Sequence, residues 1–424
     1  MNGKQQYYGD IKKRSSQKQD DTLKNLYRAS EANDDVENFL ENSADVDEES
    51  LKEKKSAKKK RLKAEKKAAT GRKISKIIKR TILAILVLGT VGGGVWFFLQ
   101  AGSNQTELNA VEKDETKADE IYYSRLTGKE VSSKDIATQA ATCVMIENSP
   151  AARPQSGLNE AGVIYEAIAE GGITRFLAIF QEAKPNYIGP VRSVRLTFVE
   201  MAKPYNCSIA HVGGSDNALK LIRGNNGFRD IDQFYNAKYY WRIRSRASPH
   251  NVYTRFSMLD ELNYSKGYRT SEFNGFTRIK PDTKPEESEK KANKITISMS
   301  SDIYSPVYNY DANSNKYLRS YAQGGAHYSQ SEDGAKTQNA PDVVIAMKVE
   351  TVARTGEEAY ADYTTTGTGD AAIFQNGGVI EGRWSRANKD SELKFTDASG
   401  NEIQLGRGQT WITLYPSNGK VTWE

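Results

Sequence analysis

The hydrophobic pattern divides the chain into three stretches of different character. Residues 1–50 show no apolar period and are rich in Asp, Glu, Asn and Ser, which predicts disorder. Residues 51–80 are Lys- and Ala-rich and can run as a helix into the apolar segment beyond residue 80. Ile82–Leu99 is an uncharged run of 18 apolar, glycine or threonine residues. At about 1.5 Å per residue such a run crosses the roughly 30 Å hydrocarbon core of a bilayer. A cleaved signal peptide would lie at the N-terminus and end in a small-residue cleavage site; this run begins 80 residues in. The pattern therefore predicts a single transmembrane helix over 81–100, a cytoplasmic tail over 1–80 and a polar stalk over 101–137.

Beyond residue 137 the pattern becomes that of a globular protein. Ala141–Glu147 reads as a buried strand. Val163–Glu170 and Ile173–Gln181 are strand-like runs separated by Gly171-Gly172, the mark of a tight hairpin. Gly189-Pro190 opens an apolar-periodic stretch, Val191–Lys203, which predicts a helix with proline near its first position. Cys207–Val212 reads as a short strand, Ser215 as a helix N-cap, and Thr254 as the cap of a helix to about Leu262. Residues 280–293 read as a linker. The rest is a series of short strands, among them Lys294–Ser300, Pro306–Tyr310, Tyr317–Tyr321, Val343–Val352, Val379–Trp384 and Thr410–Tyr415. No period of 20–50 residues repeats, which excludes a solenoid.

Charge orients the anchor. Fifteen Lys or Arg stand between Lys52 and Arg80 against Glu53 and Glu65, whereas acids outnumber bases between Glu107 and Glu120. Positive flanks stay inside, so the N-terminus is cytoplasmic and the later residues are extracellular. The net charge of +6 originates in the basic block, whose expected partner is anionic phospholipid. The block lacks interleaved aromatics, so nucleic acid is not expected. The two cysteines, Cys143 and Cys207, lie in apolar strands. Outside the cell they can form a disulfide; two buried thiols are the alternative.

Four groups of residues can carry chemistry. In a two-residue hairpin Glu170 pairs with Ile173, so Arg175 faces Ile168, with Glu166 and Glu170 as diagonal neighbours; this is either a structural ion-pair network or a ligand or acid/base site. Arg192 and Arg195, three apart in the predicted first helical turns, suggest an anion clamp with the free N–H groups. Arg242, Arg244 and Arg246 make a basic stripe if extended, which also suits a charged edge strand. Of the three histidines, His211 and His250 sit near glycine and proline turns, and Ser215 allows a Ser/His pairing. Neither a metal-binding spacing nor a Gly-x-Ser-x-Gly elbow is present, so no metal or cofactor is expected.

Several segments carry a resemblance. Arg153-Pro154-Gln155-Ser156-Gly157, Tyr165-Glu166-Ala167, the run from Glu170 to Phe176, the run from Gly189 to Arg195, the run from His211 to Ser215 and Pro249-His250-Asn251 resemble the YerB-like lipoproteins. Phe374–Gly378, Gly382–Trp384 and Gly408–Trp411 resemble that family's C-terminal domain. The resemblance implies a bacterial cell-envelope setting and two domains, 138–279 and 294–424, without an assigned reaction. Family members are typically held by a lipid on an N-terminal cysteine; this chain carries the apolar run instead.

The expected fold is α+β: a mixed α/β first extracellular domain, then a β-rich second one. The expected function is binding of an anionic wall-related ligand, peptidoglycan or a wall polymer, or of an envelope partner, by Arg153, Arg175, Arg192, Arg195, Ser215 and Asn251. The alternative is a hydrolase or lyase acting on wall glycan, with Glu166 and Glu170 as acid/base and His211 and His250 assisting.

Overall fold

The computed structural model describes residues 120–283, 290–353 and 361–424. The predicted tail, the apolar run, residues 101–119 and the centre of the linker lie outside the described residues. Among the described residues no helix is long and apolar enough to cross a membrane. Residues 115–424 form one compact unit.

A ten-stranded sheet organises this unit. Its strands are β1 (Thr142–Glu147), β2 (Val163–Glu170), β3 (Ile173–Phe180), β4 (Ser208–Ala210), β5 (Arg229–Asp230), β6 (Val343–Val349), β7 (Gly367–Gln375), β8 (Gly378–Arg386), β9 (Lys394–Thr396) and β10 (Thr410–Pro416). Their spatial order is β9-β8-β7-β6-β10-β2-β3-β1-β4-β5. β10 lies parallel to both β6 and β2, with Thr410 opposite Val343 on one side and Val163 on the other. The two expected domains thus share one sheet, stitched by a strand from near the C-terminus.

Both faces of the sheet are covered, which is why β1, β3, β6 and β10 read as continuous apolar runs. Four helices accompany it: α1 (Lys134–Thr138), α2 (Leu196–Ala202), α3 (Asp216–Arg223) and α4 (Phe256–Ser265). One face packs Tyr165, Leu177, Ile345 and Ile412 with Phe198 and Val199 of α2 and Ile222 of α3. On the other, Phe176, Ile164 and Trp411 pack with Phe256 and Leu259 of α4. Further along that second face a five-stranded sheet, ordered Gly325–Ala326, Lys316–Tyr321, Pro306–Asp311, Lys294–Ile297 and Val421–Trp423, covers Val344 and Phe374. A mixed α+β body with a β-rich second half is therefore what the residues form.

Three expectations change. The helix expected over 191–203 spans only Leu196–Ala202. The preceding residues are held extended by tertiary bonds: Arg192 N–H to Met145 O at 2.9 Å, Val191 N–H to Val252 O at 2.7 Å and Val194 N–H to Gly213 O at 3.0 Å. Residues 122–137, expected as the end of a stalk, belong to the body. Tyr122–Tyr123 pairs with Glu130–Val131, Ser133 caps α1, and Leu126 is buried in the main core. The end of the expected linker is also packed, with Ala292 N–H bonded to Gly377 O at 2.9 Å.

Candidate functional site

The β2–β3 hairpin turns at Gly171-Gly172 as its sequence predicts, but its register does not follow the simple hairpin. Glu170 pairs with Ile173, while Ile168 pairs with Thr174, so Ala169 is an extra residue and forms a bulge. Arg175 consequently lies opposite Ala167, and Glu166 opposite Phe176. One inserted residue moves Glu166 to the face away from Arg175. The expected Glu166–Arg175–Glu170 cluster therefore splits in two.

Glu166 is fully buried. It accepts hydrogen bonds from Arg319 Nη2 at 2.8 Å, Thr174 Oγ1 at 3.2 Å and Asn148 Nδ2 at 3.3 Å. Burial works against the charge of Arg319, but Glu166, Tyr321 and Tyr308 outweigh it and hold that guanidinium above its ordinary value. His327 Nδ1 accepts from Arg319, and its Nε2 donates to Gln155 Oε1 at 2.8 Å. Arg153 belongs to the same network. It stacks 3.7 Å over the Tyr321 ring and donates to Asn148 Oδ1 at 3.1 Å and Ile303 O at 2.8 Å. Glu166 is thus enclosed in an ion pair with Arg319, and Arg153, partly buried, joins the first half to Ile303 of the second.

The second group lies on the other face, where Glu147 of β1 stands opposite Arg175 of β3. Both Glu147 oxygens are 2.9 Å from His250 Nδ1. Ser149 Oγ donates to Glu147 at 3.0 Å, and Arg192 Nε stands 3.5 Å away. The Glu170 carboxylate bridges Arg175 and Arg195. Arg175 Nη1 also donates to Ser193 O at 2.6 Å, and Arg195 Nη1 to Val194 O at 3.0 Å. Burial, then Arg195, lowers the Arg175 pKa to about 9; Glu170 works the other way and Arg192 adds to the lowering. Three guanidiniums thus face two carboxylates. The helix expected to carry both Arg192 and Arg195 begins only after Arg195, its N-cap, so the two guanidiniums reach different carboxylates, Glu147 and Glu170.

The histidines separate by access. His211 is buried with both nitrogens engaged, by Gly213 O at 2.8 Å and Asp230 Oδ1 at 3.0 Å. His327 is likewise enclosed. His250 keeps 25% of its side chain exposed, and among the described residues its Nε2 has no hydrogen-bond partner. A carboxylate fixes one nitrogen while the other meets solvent, the arrangement that orients a general base. His211 thus braces the Gly213 turn and Asp230 and stands apart from the Glu147–Glu170 cluster. Ser215 caps α3 by position without a side-chain cap bond. Asn251 accepts from Arg242 Nη1 at 2.8 Å and holds its own hairpin; neither joins the cluster. Nor does the basic stripe persist: Arg246 turns to donate to Pro154 O at 2.6 Å.

Three of the segments that carry the resemblance, Arg153–Gly157, Glu170–Phe176 and Gly189–Arg195, supply residues to these two networks, and similarity to other proteins covers them. Residues 126–269 match the family described as "Protein of unknown function (DUF3048) N-terminal domain", and residues 295–412 match its C-terminal domain. The Bacillus subtilis (strain 168) protein called "Putative lipoprotein YerB" is 30% identical over 292 residues, 69% of this chain and 85% of that protein. This chain belongs to the DUF3048 family. The crystal structure of the YerB protein from Bacillus subtilis superposes with a TM-score of 0.62 at 26% identity, over 71% of this chain and 99% of that one. The DUF3048 N-terminal match ends before the strands of the second half begin, yet Glu166 from the first and Arg319 from the second form one buried pair.

Sequence reasoning missed Glu147 and Ser149. Glu147 ends an otherwise apolar strand, which is a signal, but its partners lie as far as 103 residues away and emerge only with the β1–β3 pairing. A cleft of about 1150 Å³ lies elsewhere, between Thr270–Asn274 and Arg386–Lys394. Two of its arginines are engaged by the fold: Arg386 donates to Ser391 O and Glu200 O, and Arg125 to Phe273 O. None of the expected site residues lines it. Among the described residues no three His, Cys, Asp or Glu converge as a metal set.

Proposed function

We propose that this protein is anchored in the cell membrane by Ile82–Leu99, with residues 120–424 outside, where they bind an anionic, wall-related ligand at the Glu147–Glu170 cluster. The observation that carries the reading is the charge imbalance: Arg175, Arg192 and Arg195 crowd two carboxylates, and crowding plus burial lowers the Arg175 pKa to about 9. An anion supplied by a ligand relieves that repulsion. Partly exposed Arg192 and His250 give it a place to sit. The setting agrees with the Cys143–Cys207 disulfide, whose Cα atoms are 5.8 Å apart, and with a relative named as a lipoprotein. The bilayer, anionic phospholipid beside residues 52–80, and peptidoglycan or a wall polymer are the proposed partners.

Calorimetric titration of residues 115–424 with purified wall polymer tests the site. Arg192→Ala is expected to weaken binding about tenfold, since a charged hydrogen bond contributes about 1.5–3 kcal/mol when buried and less at partial exposure. Unchanged affinity would sink the assignment.

One observation favours a second reading, hydrolysis of a wall component. Glu147 orients His250 so that Nε2 can take a proton from water. Incubation with purified wall, with analysis of the soluble fragments, separates the readings: release that survives both Glu147→Gln and His250→Ala excludes the pair as catalysts.

A further inference from the structure

Exposed aromatic surface gathers at one tip of the body. Phe234 is 67% and Tyr235 72% exposed, more than any other large apolar side chain among the described residues. They are neighbours in the Gln233–Tyr235 turn, which a buried carboxylate braces: Asp232 Oδ1 accepts from Phe234 N–H and Gly213 N–H, both at 3.1 Å. Asn236 Nδ2 donates to Asp232 O at 2.7 Å, and Gln233 N–H to His211 O at 2.8 Å. The pair is held outward by a fixed backbone, so contact with a partner costs little ordering.

One basic side chain lies against the pair, and others stand on the same and the flanking elements. The Arg223 guanidinium lies 5.0 Å from the Tyr235 ring centre. Lys220, one turn earlier on α3, and Lys238, three residues after Tyr235, are exposed, as are Arg242 and Arg244 in the next hairpin. The nearby acids are Asp230 and Asp232, both paired with Arg223 and close to His211, and the exposed Asp216 and Glu261, the last near enough to Lys238 to favour its charge. Lys220, Lys238, Arg242 and Arg244 have no carboxylate partner among the described residues.

We propose that this tip is a membrane-contact surface, in which Phe234 and Tyr235 enter the headgroup boundary of an anionic bilayer and the lysines and arginines hold its phosphates. Aromatic rings gain from that boundary, where one end is apolar and the other wet, while cations gain from the headgroups. A wall polyanion would satisfy the cations but offers the rings no apolar phase. The proposal rests on the reading that the chain is anchored. Twenty residues, 100–119, separate Leu99 from the first described residue, a span of at most roughly 70 Å. A body of this length has a radius of gyration of about 20 Å, so any of its faces can reach the membrane.

Residues 115–424, whose sheet and cores close within themselves, are the material for the test, by flotation with vesicles. The unmodified body is expected to float with phosphatidylglycerol–phosphatidylcholine vesicles and not with phosphatidylcholine alone. Lys220→Ala and Lys238→Ala should each weaken binding about fivefold, and added salt should reduce it further. Phe234→Ala/Tyr235→Ala should weaken it at least tenfold with an unchanged melting temperature. Absence of flotation by the unmodified body, equal flotation of the aromatic double variant, or retention on wall polyanion without vesicle binding overturns the proposal. Carbonate extraction of the full chain from membranes tests the anchor separately. Release would remove the anchor reading and leave the vesicle result standing.

Discussion

Glu166 and Arg319 come from opposite halves of the chain and neither reaches solvent. Removing one member of such a pair strands the other charge, at about 3–5 kcal/mol. Glu166→Met is therefore expected to lower the urea midpoint sharply, and Glu166→Met/Arg319→Met to regain much of the loss. A fall no larger than that of a surface substitution would show the pair to be dispensable. His327 sits against the same arginine. Burial first, then Arg319 and Arg153, holds its pKa well below the ordinary value near 6.5. The unfolded imidazole then binds a proton that the folded one refuses, so stability is full above about pH 6.5 and falls as pH drops toward the folded pKa, by up to about 1.4 kcal/mol per pH unit. His327→Gln keeps an acceptor for Arg319 and a donor for Gln155 without titrating. Its melting temperature should change less between pH 7 and pH 5 than that of the parent.

Among the elements, the disulfide joins β1 to the residue before β4, two adjacent parallel strands 64 residues apart in sequence. Closing that loop contributes about 2–4 kcal/mol. Cys143→Ser/Cys207→Ser should lower the unfolding free energy by that amount, and reductant should have no further effect on the variant. The hairpin shows what the sequence could and could not carry. Gly171-Gly172, with φ of +53° and +80°, marked the turn and both strands correctly. The bulge at Ala169 stayed hidden because β2 is buried on both faces. With Val163, Tyr165 and Ala167 on one side and Ile164 and Ile168 on the other, no polar alternation fixes the register. The helix at Val191 failed for a different reason. Its apolar period was real, but backbone bonds to Met145, Val252 and Gly213 took the N–H groups a helix would have used. Site residues divided in the same way. Arg175, Arg192, Arg195, Glu170 and His250 were legible as charges beside turns, whereas the exclusion of Glu166 and the entry of Glu147 depended on pairing between distant strands.

Across the whole molecule, β10 occupies the middle of the sheet, between the strands of the two halves. Residues 120–283 alone would leave β2 as a long apolar edge, a template for association. That fragment is expected to elute as aggregate on size exclusion, whereas 115–424 elutes as a discrete species. A soluble, monomeric 120–283 with native-like near-UV circular dichroism would show that the first half is self-sufficient. The covered sheet also explains why two segments recognised separately along the chain behave as one body. Arg153, Gln155 and Asn148 reach across to Ile303, His327 and Tyr321, and Gln409 Nε2 reaches back to Leu158 O and Ala161 O at 2.8 and 2.6 Å.

The position of β10 bears on how such a chain is made. A ribosome delivers residues in order, and the strand that closes the sheet spans 410–416 of 424 residues. Until that strand has been synthesised, β2 and β6 lack the ribbon that joins them and the centre of the sheet stays open. Biogenesis is thus all-or-none. A nonsense codon at almost any point before residue 410 should yield no partially useful product, and the nascent polypeptide should depend on holdases during that interval.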